Sequence, residues 1–159
     1  MRRFLPLLAV SCAGPFAAVA PRVETSGVEL IYCGSSTVST ESVMKSLEPP
    51  TGPTGSSDSG LLPARKEASI CLDFVNRGTK QARINRGAVR LRCPRETDEW
   101  SPDHDDQEVI AQPNEKRRLH VTFPYSPLPR GEDVELLFDS AVTVGGHAVK
   151  VAPLKLRHN

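Results

Sequence analysis

The residues with most chemical capacity in this chain are four cysteines, four histidines and a run of acids in "DHDDQE", residues 103–108. Asp103, His104, Asp105, Asp106 and Glu108 offer hard oxygen ligands with one imidazole, a set suited to Ca²⁺ or a transition ion. The glycine and ligand spacing of a calcium loop are missing, and Arg92 and Arg95 stand close enough in sequence to neutralise carboxylates. A solvated acidic loop is the simpler reading. The cysteines do not form a zinc pair, because no C-x-x-C occurs. "GSSDSG", residues 55–60, is not G-x-S-x-G and lacks the strand–turn–helix context of a nucleophile elbow. A phosphate-cradling G-x-x-x-x-G-K-[ST] is also absent. His120 falls on the outward face of an alternating run, and His147 follows a glycine turn. With His104 and His158, they read as exposed surface residues.

These residues must be positioned by extended structure. In Ser69–Asn76, Ile70, Leu72 and Phe74 share one face, while Cys71, Asp73 and Val75 share the other. Asn76-Arg77-Gly78 then turns. In Ala88–Cys93, Val89, Leu91 and Cys93 face one way and Arg90 and Arg92 the other. Glu108–Ala111 is a weak strand. Lys116–Phe123 places Leu119, Val121 and Phe123 inward, and Asp133–Asp139 does the same with Val134, Leu136 and Phe138. "SAVTVGGHAVKV" sets Gly145-Gly146 between two β-forming runs. Both glycines tolerate positive φ, as a two-residue hairpin turn requires. Pro153 marks a strand end before Leu154 and Leu156.

The pattern predicts an all-β protein: an antiparallel, immunoglobulin-like β-sandwich of about seven to nine short strands. A closed barrel fits the uneven strand lengths and long loop less well. The first strand is expected within residues 21–34, where Val28, Leu30 and Tyr32 point inward. Residues 35–67, rich in Ser, Thr, Pro and Gly, read as a flexible loop. Within it, the pattern allows a short helix around Thr40–Leu47, capped by Ser39 or Thr40, before Pro49-Pro50. Residues 68–159 form the main sandwich.

The N-terminus reads as a signal peptide over residues 1–20. Arg2 and Arg3 precede an apolar run from Phe4, and Ala18-Val19-Ala20 has the small-x-small form of a cleavage site. Two features complicate that cut. Pro21 would follow it directly, and Ala9-Val10-Ser11-Cys12 resembles a bacterial lipobox, which would make Cys12 a lipidated N-terminus. The expected location is therefore outside the cytoplasm: periplasmic, secreted, or lipid-anchored in the cell envelope. Removing Arg2 and Arg3 leaves eighteen Lys and Arg against nineteen Asp and Glu. Neither sign dominates, so steering to nucleic acid is not expected, and membrane contact is expected only through lipid on Cys12.

Export makes a disulfide plausible for Cys33, Cys71 and Cys93. Cys33 and Cys71 share a face in the register above and are the first choice. Cys33–Cys93 is the second, and one thiol is left over either way. If the first pair forms, Cys93 is a small buried apolar residue. Outward Arg90, Arg92, Lys116 and His120 would form a basic patch if their strands were neighbours. The simpler reading is that they discourage edge-to-edge aggregation.

The runs "CLDFVNRG" and "IAQPNEKRRLHVTF" resemble the strand–turn and turn–strand openings of exported bacterial immunoglobulin-like modules. The resemblance covers about Ala68 to Val151, is one of pattern, and carries no functional residues with it. It implies a non-catalytic part of an envelope or surface protein, without a cofactor, whose partner is another envelope or extracellular protein. Two other expectations stand beside it: a periplasmic metal-binding protein using the Asp103–Glu108 loop, and a small secreted hydrolase.

Overall fold

The computed structural model describes residues 14–40, 65–95, 99–103, 107–124 and 131–159. The regular elements are β1 (Phe16–Ala18), β2 (Arg22–Thr25), β3 (Val28–Thr40), β4 (Arg65–Asn76), β5 (Ala82–Asn85), β6 (Arg90–Arg92), β7 (Glu99–Trp100), β8 (Glu108–Ala111), β9 (Lys116–Pro124), β10 (Asp133–Leu137), β11 (Val142–Val144), β12 (His147–Ala148) and β13 (Leu154–His158). A single 3₁₀ turn, Arg86–Ala88, lies among them. The strands form three open sheets in the orders β2-β3-β4-β9, β1-β13-β10-β6-β7 and β12-β11-β5-β8, and each pairing between them is antiparallel. The protein is therefore all-β, in an arrangement consistent with a β-sandwich.

Thirteen segments stand among the described residues, more than the seven to nine expected: β1 and β7 fall where no strand was expected, and residues 21–34 hold two strands, β2 and the start of β3, rather than one. β5 and β6 continue one another through the Arg86–Ala88 turn, where the Asn85 side chain accepts a hydrogen bond from the Gly87 amide at 2.9 Å. Their partners break at the same level. β11 pairs with β5 and β10 with β6, and Ser140 takes a left-handed φ of 61° between the two. One irregular ribbon is thus shared by two of the sheets.

The alternation read from the sequence supplies the interior. Ile70, Leu72 and Phe74 of β4, Leu119, Val121 and Phe123 of β9, and Val134, Leu136 and Phe138 around β10 are all buried. They join Val28, Leu30, Val89, Leu91, Leu154 and Leu156 in one core cluster to which all three sheets contribute. Strands of period two with one apolar face have no other way to remove that face from water. Gly145 and Gly146 adopt φ of 57° and 83°, and β11 and β12 pair across them as Val144↔His147.

Several expectations need correction at their boundaries. β3 does not end near Gly34. Its pairing with β4 runs on to Thr40↔Arg65, so residues 35–40 and 65–67 are strand, since Ser, Thr and Val are compatible with a ladder once a partner strand is present. Thr40 and Ser39 accordingly lie in β3 rather than at a helix N-cap. Residues 41–64, which hold the rest of the expected loop, the helix and GSSDSG, lie outside the described residues, as do 1–13 with Cys12. Residues 14–20, assigned above to the signal peptide, are part of the fold. β1 pairs with β13 as Phe16↔His158, Ala17↔Arg157 and Ala18↔Leu156, and Phe16 is 2% exposed within the core cluster.

His158 also departs from expectation. It is buried, with its ring centroid 5.6 Å from that of Phe16 in a tilted arrangement. The cause is the alternation of β13, in which Leu154, Leu156 and His158 share the inward face.

Truncating Phe16 removes a large side chain that its surroundings can only partly refill. Phe16→Ala in the full chain is expected to lower unfolding stability by about 3–5 kcal/mol, measured by urea denaturation at neutral pH. A loss below about 1 kcal/mol would mean that β1 does not belong to the cooperative unit.

Candidate functional site

The residues with chemical capacity gather on the outer face of the β2-β3-β4-β9 sheet. β4 is one of its two inner strands, paired along nearly its whole length by β3 on one side and β9 on the other. Cys71, Asp73 and Val75 of β4 alternate with the buried Leu72 and Phe74 and lie on the face away from them, as do their cross-strand neighbours. One row reads Arg22↔Ile31↔Asp73↔Arg118, and the next reads Glu24↔Glu29↔Val75↔Lys116.

Two carboxylates on this face are covered by cations. Glu29 is 2% exposed although it points outward. It accepts from Arg22 Nη1 at 3.1 Å and from Arg77 Nε at 3.0 Å. Asp73 is 5% exposed and accepts from Arg118 Nε at 2.8 Å and Lys116 Nζ at 2.8 Å. The long stems of Arg and Lys lie over the acids while the charged heads remain in water. A carboxylate taken out of water is tolerated only when paired in this way. Arg118 also reaches the second Asp73 oxygen, at 3.3 Å, through Nη2, the two-pronged geometry that a guanidinium fork suits.

The hydrogen bond from Arg118 holds the Asp73 carboxyl below the ordinary carboxylate range. Burial opposes this, and Lys116 adds to the lowering. Because the folded-state value is depressed, the pair contributes stability that is fully present above the unfolded carboxylate value of about 3.9. That contribution is lost as pH falls through the folded value.

The disulfide is the third feature of this face. Cys33 and Cys71 are bonded, with their Cα atoms 5.2 Å apart. A β-bulge makes the pairing work. The ladder shifts between Tyr32 and Gly34, so that Gly34, not Cys33, stands opposite Cys71. The extra residue keeps Cys33 outward beside its partner. On its other side Cys71 stands opposite His120, which is exposed as expected. Cys93 is the remaining described cysteine. It is buried, with its Sγ donating to Glu132 Oε2 at 3.3 Å.

The other predicted groupings separate. Arg90 and Arg92 lie on β6, which pairs with β10 and β7, while Lys116 and His120 lie on β9, which pairs with β4. The four therefore do not form one basic patch. Arg92 is instead engaged by Glu135 at 2.7 Å. In the acidic segment, Glu108 pairs with Arg83 at 3.4 Å and the Asp103 amide donates to the Thr122 carbonyl at 2.8 Å. His104, Asp105 and Asp106 lie outside the described residues. Among the described residues, no group of three or more His, Cys, Asp or Glu converges as a metal site would require. His147 is exposed on β12, away from the disulfide face.

Sequence reasoning missed Glu29 and the depth of Asn76. Asn76 was read as part of a turn but is fully buried. Its side-chain amide donates to the carbonyls of Lys80 at 2.8 Å and Ala111 at 3.0 Å, and its Oδ1 accepts from the Gly78 amide at 3.0 Å. It thus fixes the turn after β4 to the end of β8. The Asn-x-Gly pattern was the signal, since Asn folds back onto the amide two residues on.

The chain matches no family model, and a search of the curated proteins finds no match to it.

Two outcomes follow. Asp73→Asn is expected to cost about 1–3 kcal/mol at pH 7, and to flatten the loss of urea stability between neutral pH and pH 3. An unchanged pH profile would show that Asp73 does not contribute to acid sensitivity. Replacing Cys33 and Cys71 by Ser opens a loop with a sequence separation of 38. This should lower stability by about 3–4 kcal/mol if the bond acts through the unfolded chain, as read from urea midpoints of oxidised wild type and the double variant.

Proposed function

We propose that this is an exported, non-catalytic protein of the immunoglobulin-like β-sandwich type, working by binding or structural assembly in the cell envelope. The observation that carries the reading is the Cys33–Cys71 disulfide. Cys33 is exposed, where cytosolic reductants would reach it, and such bonds persist in oxidising compartments. The resemblance of Ala68–Val151 to exported bacterial modules supports the same class.

The outer face of the β2-β3-β4-β9 sheet is the surface this reading favours. Its long cationic side chains are already held by Glu29 and Asp73. A partner that docks there has less side-chain freedom to remove than on an ordinary Arg- and Lys-rich surface. Strand addition on β9 is the less favoured mode. Its edge already receives the Asp103 amide at the Thr122 carbonyl and Arg86 Nη1 at the His120 carbonyl. Lys116, Arg117 and Arg118 further discourage a second strand. The partner is another envelope or extracellular protein, and lipid on Cys12 is the proposed route by which the chain would meet a membrane.

Thiol alkylation in intact cells, followed by site-specific photocrosslinking, tests this. Cys33 and Cys71 should resist labelling until a reductant is added. A crosslinker at His120 should yield a defined adduct with an envelope protein, and one at Lys155, exposed on β13, should not. Free alkylation of both thiols in the native host removes the export reading. Equal crosslinking at the two positions removes the face.

A further inference from the structure

We infer that the outer face of the β2-β3-β4-β9 sheet receives an extended acidic segment of a partner protein, whose carboxylates at alternate positions meet two fixed cationic clusters. The inference rests on the binding reading above and names the chemistry of the partner at that face.

Each cluster is two cations gathered on one acid. Arg22 and Arg77 meet on Glu29, and Arg118 and Lys116 meet on Asp73. The four cationic side chains are each more than half exposed, whereas both acids are buried. Two cations less one acid leave each cluster with one positive charge over. A guanidinium also has more N–H donors than one carboxylate takes up. Arg22 donates to Glu29 through Nη1 and Arg77 through Nε. Arg118 donates to Asp73 through Nε and Nη2, which leaves Nη1 for a second anion. A partner carboxylate at each cluster therefore finds both uncancelled charge and donors held in place by the sheet.

The spacing of the clusters selects the form of the partner. Glu29 stands opposite Val75, and Ile31 opposite Asp73. The two acids are thus diagonal neighbours across β3 and β4, about 7–8 Å apart. Alternate side chains of an extended chain repeat at about 7 Å, whereas same-face neighbours on a helix are about 5–6 Å apart. An extended segment lying obliquely over β3 and β4 brings one carboxylate to each cluster. Between the clusters the floor is apolar, formed by the half-buried Ile31 and the buried Val75. Glu24 is exposed on β2 in the row of Glu29. It repels an acidic segment running along β2 and so favours the oblique path. His120, exposed two residues beyond Arg118 on β9, borders the same path.

The test titrates the full chain into a labelled peptide of alternating Glu and Thr, read by fluorescence anisotropy at low salt and at about 150 mM. Saturable binding that weakens with salt is expected. It should be about threefold tighter than binding to a repeating Glu-Glu-Thr-Thr peptide, which has the same composition but no acids two positions apart. Arg77→Gln and Arg118→Gln each leave the buried acid one cation, and each should weaken binding about threefold. Glu24→Gln touches neither buried acid and should tighten it about twofold. Equal binding of the two peptides, unchanged affinity in Arg118→Gln and Glu24→Gln, or equally tight binding of a sulfated polysaccharide overturns the inference. If the alternating peptide fails to bind while His120 still crosslinks to an envelope protein, the docking face stands and its acidic occupant falls. If the peptide binds as expected while His120 and Lys155 crosslink equally, the acid-binding clusters stand and the docking reading falls.

Discussion

The double pairing of β4 is the constraint on which the rest of this fold depends. Its ladder with β3 extends from Val28↔Asn76 to Thr40↔Arg65, and its ladder with β9 from Val75↔Lys116 to Glu67↔Pro124. A strand held on both sides has no freedom of register. A slip by one residue would send Ile70, Leu72 and Phe74 to water and bring Cys71 and Asp73 into the core. The same register sets the inward faces of β3 and β9. It also determines where the outward carboxylates, cations and sulfurs meet. Disulfide, ion pairs and core are therefore consequences of one alignment.

That alignment was legible where the chain alternates cleanly. Ile70, Leu72, Phe74, Leu119, Val121, Phe123, Val134, Leu136 and Phe138 all read as inward and are buried. Gly145-Gly146 read as a hairpin turn and has the positive φ values that such turns need. The Cys33–Cys71 pairing followed from the same parity argument, although the bulge at Tyr32/Gly34 that seats it was not visible. A bulge is a single-residue irregularity decided by what the partner strand presents, and local sequence carries little trace of it.

The misses share a cause: they involve residues whose environment is made by distant parts of the chain. "SSTVST" looks like a linker by composition, yet its backbone is paired to Thr40 because Arg65 onward runs beside it. Glu29 and Asp73 look like solvated charges in an alternating strand. They are buried because Arg77, Lys116 and Arg118 arrive from a turn and from another strand. The separation of Arg90 and Arg92 from Lys116 and His120 depends on sheet order, which periodicity does not encode. His158 became a core residue because β13 keeps strict alternation to its end.

In the proposed binding reading, the face around Asp73 joins stability to recognition in one set of residues. Ordinary exposed ion pairs add little, since two flexible side chains must be immobilised to make each one. Here the carboxylates are already fixed by the backbone of a central ribbon, and Arg118 and Lys116 converge on one of them. The immobilisation is therefore shared between two cations for a single buried acid. The acids are nearly inaccessible while the cationic side chains are more than half exposed, at 59% for Arg118 and 57% for Lys116. An approaching surface consequently meets positive groups in fixed positions, although the chain as a whole is close to neutral. Near-neutral composition had argued against long-range steering, and it still does. Selectivity at short range is a different property, set by where charges are held rather than by how many there are.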